Sequence, residues 1–178
     1  DLVRVDQGSA GSFVPPAFAQ QPGEWAPFRA NVAPVSVDDN LLTFWVRPTG
    51  DGRAAEITVD PPGAATIEGR VSTTSAKGRE GVQLELRVAG DRVVARFGGQ
   101  LPEGHAPMPI VRRAEDPRKL AGVVLAEALR SLGVEVAGDV VLGAGGARRS
   151  LVVRSSRPLG EIVQALGKDS NNFVAEML

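Results

Sequence analysis

The hydrophobic period changes once along these 178 residues, and that change restricts the fold more than any other feature. Up to Pro109-Ile110-Val111 the apolar residues fall in short alternating runs broken by Gly and Pro, the pattern of strands that bury one face. Beyond that point they recur at intervals of three and four, the pattern of helices with one apolar stripe. Strands followed by helices predict an α+β fold.

The expected elements follow from local chemistry. Asp1 to Asp6 alternate polar and apolar as a strand does. From 7 to 30, Gly8, Gly11, Pro15, Pro16, Pro22, Gly23 and Pro27 stand among Phe13, Phe18, Trp25 and Phe28, which reads as an irregular crossing pinned to a surface by its aromatics. Residues 32–37 and 41–46 are the expected arms of a hairpin turning at Asp38-Asp39-Asn40, with Pro34 at an edge or near a strand start. Further strands are expected at 56–59, 66–71, 82–88 and 92–97, the last two joined by Ala89-Gly90-Asp91. Asp116 and Pro117 open a helix that carries Leu120, Val124, Leu125, Ala128, Leu129 and Leu132 on one stripe and stops at Gly133. Strands near 139–142 and at 151–154 flank a Gly-rich bend. Pro158 opens a second helix with Leu159, Ile162, Val163 and Leu166 inward and Gly167 as its stop, and Ser170 is placed to cap a third. The expected organisation is a β-rich region over 1–148, of one or two subdomains, and a helical part over 149–178. The chain begins inside a strand pattern without an initiator Met, and its last apolar stripe stops on Leu178 without a stop signal, so it is expected to be a segment of a longer protein.

Composition excludes several kinds of chemistry. Twenty Lys and Arg against 21 Asp and Glu leave a net charge of −1, with no strongly one-signed region, which offers no field to attract DNA, RNA or an anionic membrane. With no Cys and one His, a thiolate nucleophile, a disulfide framework and a Cys/His zinc site are ruled out. No apolar run approaches the roughly 18 residues a transmembrane helix needs.

One stretch places reactive groups close together. In Leu166-Gly167-Lys168-Asp169-Ser170-Asn171-Asn172-Phe173 a hydroxyl and a carboxamide stand two residues apart in a tight turn between apolar helices, so Ser170 and Asn172 can point into one cleft. The plainer reading of an isolated Ser-x-Asn is a helix cap and a first-turn residue.

The order of elements from Trp25 to Leu178 resembles that of the class C, low-molecular-mass penicillin-binding proteins, which are D-Ala-D-Ala carboxypeptidase/endopeptidases. The resemblance is carried by the Pro-rich aromatic crossing and by Ala33-Pro34-Val35-Ser36-Val37-Asp38-Asp39-Asn40. It is carried also by the leucine-striped helix running to Gly133-Val134 and then Ala137-Gly138-Asp139. Its most specific part is Arg157-Pro158-Leu159-Gly160-Glu161-Ile162-Val163 leading into Lys168-Asp169-Ser170-Asn171-Asn172-Phe173-Val174-Ala175-Glu176. Serine acyl-transferases of that superfamily use three motifs: Ser-x-x-Lys, Ser-x-Asn and Lys-Thr-Gly. Only the second is present. Thr74-Ser75-Ala76-Lys77 has Thr where the nucleophile belongs and falls in a polar turn; with Lys only at 77, 119 and 168, no Lys-Thr-Gly exists. Asn171 stands where the family often has Asp.

The resemblance implies a β-rich insertion followed by the returning helices of a penicilloyl-serine-transferase (β-lactamase-like) fold. It implies a serine nucleophile that attacks the carbonyl between two D-alanines of a peptidoglycan stem peptide, releases D-Ala and leaves an acyl-enzyme for water to hydrolyse. Ser170 would relay a proton and Asn172 would position substrate and a lysine. A β-lactam would acylate the same nucleophile. No cofactor is implied. The partners implied are the stem peptide, β-lactams and the remaining segments of the parent chain, and the location is periplasmic or secreted. This segment alone would be inactive.

The other notable features read more simply. His105 has no partner Ser or acid at motif spacing and reads as structural. Gly143 to Arg149 looks like a phosphate loop, yet a strand pattern follows it rather than a helix, so it reads as a crossing loop. Asp38, Asp39 and Asn40 lack the Gly-and-Glu continuation of a calcium loop and read as a turn. Arg112-Arg113 and Arg148-Arg149 read as solvated charges. The competing functional reading is a non-catalytic β-rich module that binds the cell wall or a protein through Trp25, Phe28 and Trp45.

Overall fold

The computed structural model describes residues 2–8, 14, 23–90, 92–144, 152, 153, 155 and 157–178. In chain order the elements are β1 (Val3–Val5), β2 (Leu41–Arg47), β3 (Glu56–Asp60), β4 (Ala65–Gly69), β5 (Ser72–Thr74), β6 (Gly81–Ala89), β7 (Arg92–Pro102), β8 (Met108–Arg113), α1 (Leu120–Ser131), β9 (Val140–Leu142), α2 (Leu159–Asp169) and α3 (Asn172–Met177). Short 3-10 turns occur at Pro27–Arg29 and Asp38–Asn40. This is the expected α+β arrangement. The elements fall into two compact units, Leu42–Glu115 and the paired stretches Asp1–Leu41 and Asp116–Leu178.

The unit over 42–115 is all β. Strand β2 lies between β3 and β8, antiparallel to β3 with Thr43 opposite Asp60 and Arg47 opposite Glu56. Its alternation is regular: Leu42, Phe44 and Val46 are buried, and Thr43, Trp45 and Arg47 lie on the half-covered face. There the Arg47 guanidinium sits 5.9 Å from the centroid of the Trp45 ring. Strands β6 and β7 form the expected hairpin with Ala89 opposite Arg92. Strand β7 also pairs in parallel with β4 along Val93–Phe97 and with β5 along Gln100–Pro102. Phe44 and Phe97 meet edge to face at 5.6 Å, and Val71, Val94, Ala95 and Leu101 are buried with them. Burying a Val, Leu or Phe side chain stabilises by about 1.5–3 kcal/mol.

The expected hairpin over 32–46 does not form. Strand β2 takes β3 and β8 as neighbours, and 33–37 run outside any strand. The reason is that this segment's backbone groups find side-chain partners. Gln7 accepts from Val35 N–H at 2.8 Å and donates to the Val35 carbonyl at 3.3 Å and the Arg118 carbonyl at 2.8 Å, so its carboxamide takes the place of a neighbouring strand. Fully buried Asn40 donates to the Asn31 carbonyl at 2.8 Å and to Ser36 Oγ at 3.1 Å. Two short strands, β5 and β8, were not expected; β5 is all hydroxyl-bearing and β8 carries Pro109.

In the other unit β1 and β9 pair in parallel, Val3 opposite Val140 and Val5 opposite Leu142, and α1 packs on both. The buried residues of α1 are Leu120, Gly122 and Ala126, whereas Leu125 and Leu132 of the expected stripe are exposed. Close approach selects the small face. A Cβ on Gly122 would stand 2.5 Å from methyls of both Val5 and Val140. The helix ends as expected at Gly133, in left-handed conformation, with Gly133 N–H bonded to the Arg130 carbonyl and Val134 N–H to the Leu129 carbonyl. At its start Asp116 accepts from Arg118 N–H at 3.0 Å and so closes the preceding turn; Lys119 occupies the N-cap position.

Helix α2 begins after Pro158, as expected, but runs through Gly167 to Asp169. Ile162 and Leu166 are half-buried, while Leu159 and Val163, expected to face inward, are exposed. The expected strand at 151–154 falls partly outside the described residues; Val152 and Val153 are exposed and in no strand. Most of the Gly-rich bend, Arg148-Arg149 included, also lies outside them, as do Phe13 and Phe18 of the crossing.

Candidate functional site

The junction of α2 and α3 is built from three consecutive polar residues with three different tasks. Ser170 ends α2 with φ 49° and ψ 40°, its N–H bonded to the Leu166 carbonyl at 2.9 Å. This is the left-handed position that glycine usually fills, and it turns the chain sharply. Asn171 then caps α3 by accepting from Val174 N–H at 3.1 Å. The cap expected from Ser170 is therefore supplied one residue later: Asn ranks with Ser as an N-cap, and Ser170 is already occupied in reversing the chain. Asn172 is the first residue of α3 and donates from Nδ2 to the Phe28 carbonyl at 3.3 Å.

Two distant stretches face this junction. The 3-10 turn at Pro27–Arg29 contacts α3. At Asp38-Asp39-Asn40 the backbone stays left-handed for three residues in succession, with φ of 49°, 51° and 54°. Asp and Asn tolerate that conformation better than other non-glycine residues. Asn171 Nδ2 donates to Asp39 Oδ2 at 3.2 Å. Together these stretches enclose an open hollow of about 250 Å³ lined by Pro27, Phe28, Asp39, Leu41 and residues 169–173. Both expected site residues, Ser170 and Asn172, therefore line one hollow.

The chemistry available there is that of neutral hydrogen-bonding groups. Ser170 offers a hydroxyl that can accept and donate at once. Asn172 has one amide N–H committed to Phe28, which leaves its second N–H and its carbonyl oxygen for a bound molecule. Asp39 adds a carboxylate, and Phe28 an exposed ring. Sequence reasoning did not assign Asp39 or the Phe28 carbonyl to the site. The first was read as a hairpin turn, and a backbone acceptor carries no side-chain signal.

The remaining candidates lie elsewhere. Thr74 ends β5, and Ser75, Ala76 and Lys77 form the turn after it, where Gly78 N–H bonds the Ser75 carbonyl at 2.8 Å. His105 pairs through Nε2 with Glu80 at 3.0 Å on the surface of the β unit. Buried Arg113 pairs with Glu115 at 2.8 Å, so of the four arginines read as solvated charges this one is instead a buried, paired charge. Among the described residues no three His, Asp or Glu side chains converge as metal ligands, and no helix is long and apolar enough to cross a membrane.

Comparison with known proteins adds independent findings. A family model described as the D-Ala-D-Ala carboxypeptidase 3 (S13) family matches residues 20–178. A D-alanyl-D-alanine carboxypeptidase of Actinomadura sp. (strain R39) is 36% identical over 146 residues, which cover 79% of this chain and 27% of that protein. The chain thus spans about a quarter of that relative's length. Penicillin-binding protein 4 from Haemophilus influenzae shares the fold, with a TM-score of 0.55 at 19% identity over 98% of this chain and 36% of that one. A second structure of it, complexed with a β-lactam, gives 0.52 at 21% identity over 80% of this chain and 33% of that one.

Proposed function

This chain belongs to the D-Ala-D-Ala carboxypeptidase 3 (S13) family, and from that premise we propose that it is the Ser-x-Asn segment of a serine-type D-Ala-D-Ala carboxypeptidase/endopeptidase acting on peptidoglycan stem peptides. The observation that carries the reading is that Ser170 and Asn172 line one hollow at the α2–α3 junction. In this reading the nucleophilic serine with its lysine, and the Lys-Thr-Gly strand, come from stretches of the parent chain outside these residues. The serine adds to the carbonyl between two D-alanines, the C–N bond breaks, and the terminal D-Ala leaves with a proton delivered through the Ser170 hydroxyl. Water then hydrolyses the ester. Asn172 uses its free N–H on the substrate carbonyl and its oxygen on the nucleophile's lysine, holding both in place without changing its own protonation. A β-lactam acylates the same serine because its ring amide occupies the place of the scissile bond.

The same reading makes 1–148 a β-rich insertion and 149–178 the chain's return to the acyl-transferase domain. The compact β unit over 42–115 supports an inserted subdomain; residues 1–41 share their unit with 116–178. A peptidoglycan substrate implies a periplasmic or secreted enzyme. Labelling with penicillin followed by intact-mass and peptide analysis tests the proposal. The complete parent should gain one acyl group on a serine outside the present residues, and this chain alone should gain none. Acylation of the isolated chain, or none in the complete protein, would overturn it.

A further inference from the structure

The three left-handed residues at Asp38-Asp39-Asn40 are not explained by the catalytic reading, and they end at the edge of its hollow. Left-handed backbone at residues bearing a Cβ is disfavoured and persists only where the surroundings fix it. Here Asn40 fixes it: its side chain is wholly buried, and its N–H bonds the Val37 carbonyl at 2.8 Å. Asp39 is consequently presented at a set place. Across the hollow, Asn171 has no rotational choice either, because its oxygen caps α3 and its amide must face the other way. It faces Asp39. Neither α2 nor α3 has a buried residue; the Asn172–Phe28 bond and the contact with Pro27–Arg29 hold one side of the junction, and the Asp39–Asn171 bond holds the other.

We propose that Asp39 is a positioning residue for the Ser170-Asn171-Asn172 turn: its carboxylate, acting through Asn171, sets where Ser170 and Asn172 stand in the hollow. The inference rests on the reading of that hollow as part of the acylation site. A carboxylate at 171 would face the Asp39 carboxylate and lose the donor.

The test is the acylation rate of the complete parent protein with a fluorescent penicillin. Asp39→Ala should slow acylation about tenfold, the size expected for losing one charge-assisted hydrogen bond from the positioned state. Asn171→Asp should slow it at least as much. Combining Asp39→Asn with Asn171→Asp restores the bond with its polarity reversed, and should return the rate to within about threefold of the original. These latter two variants keep a residue that tolerates the left-handed turn and one that caps α3, so both retain the fold. An unchanged rate in Asn171→Asp, or a double variant no faster than Asn171→Asp alone, overturns the inference. If Asn172→Ala in the same protein acylates at the original rate, the catalytic reading fails and takes this inference with it. If Asn172→Ala is slow while the Asp39 and Asn171 variants are not, only this inference fails.

Discussion

Asn40 is the residue on which most of the local geometry depends. It bonds the Asn31 carbonyl, Ser36 Oγ and the Val37 carbonyl, and accepts from Val37 N–H at 3.5 Å. Asn40→Ala removes the buried side-chain bonds to the Asn31 carbonyl and Ser36 Oγ and puts a residue less tolerant of φ 54° in the turn. The expected loss is about 3 kcal/mol, read from the denaturant midpoint. Asp116 is a smaller and pH-dependent case. The Arg118 guanidinium, hydrogen-bonded to it, holds its carboxyl below its ordinary value of 3.8. A depressed carboxyl pKa stabilises the fold above the unfolded value, and that contribution is lost as pH falls through the folded one. Asp116→Asn should therefore lower Tm slightly at pH 7 and leave no difference from the original chain well below pH 3.8. A difference that persists unchanged at acid pH would contradict this. The pair is half exposed, so the effect is small.

At the level of elements, α1 shows why an apolar stripe is an incomplete guide to burial. The leucines are legible at helical spacing, yet α1 meets β1 and β9 over Gly122 and also buries Ala126, because the strands are approached most closely over a small residue. Gly122→Val should destabilise by about 1–3 kcal/mol despite the better helix propensity of valine, since the valine methyls it meets have little freedom to move aside. Thermal unfolding of that variant checks this; an unchanged or higher Tm would show that the helix can shift outward freely. The β6–β7 hairpin was legible because alternation and a Gly turn are both local. The 32–46 hairpin was misread because its competitor, Gln7, lies 28 residues away from Val35, and no local pattern reveals that a side-chain amide replaces a strand. The start of α3 was displaced by one residue for a similar reason: Ser and Asn are equally good caps on paper, and only the reversal at Ser170 decides between them.

For the whole molecule, the α+β class followed from the single change of hydrophobic period, and the place of the site followed from the motif's resemblance rather than from physics, since Ser-x-Asn alone is an ordinary helix boundary. The sequence could not display which surfaces of α2 stay uncovered. Leu159 and Val163 are exposed; in the proposed reading other segments of the parent cover that face. The central claim is that Ser170 and Asn172 work on the acylation step. Its most direct measurement is the second-order rate constant for acylation of the complete protein by a penicillin, with Asn172→Ala compared against the original at equal Tm. The account predicts a slowing on the order of 10²-fold, the cost of misplacing a group that orients the reacting atoms. An unchanged rate constant in a correctly folded protein would contradict it.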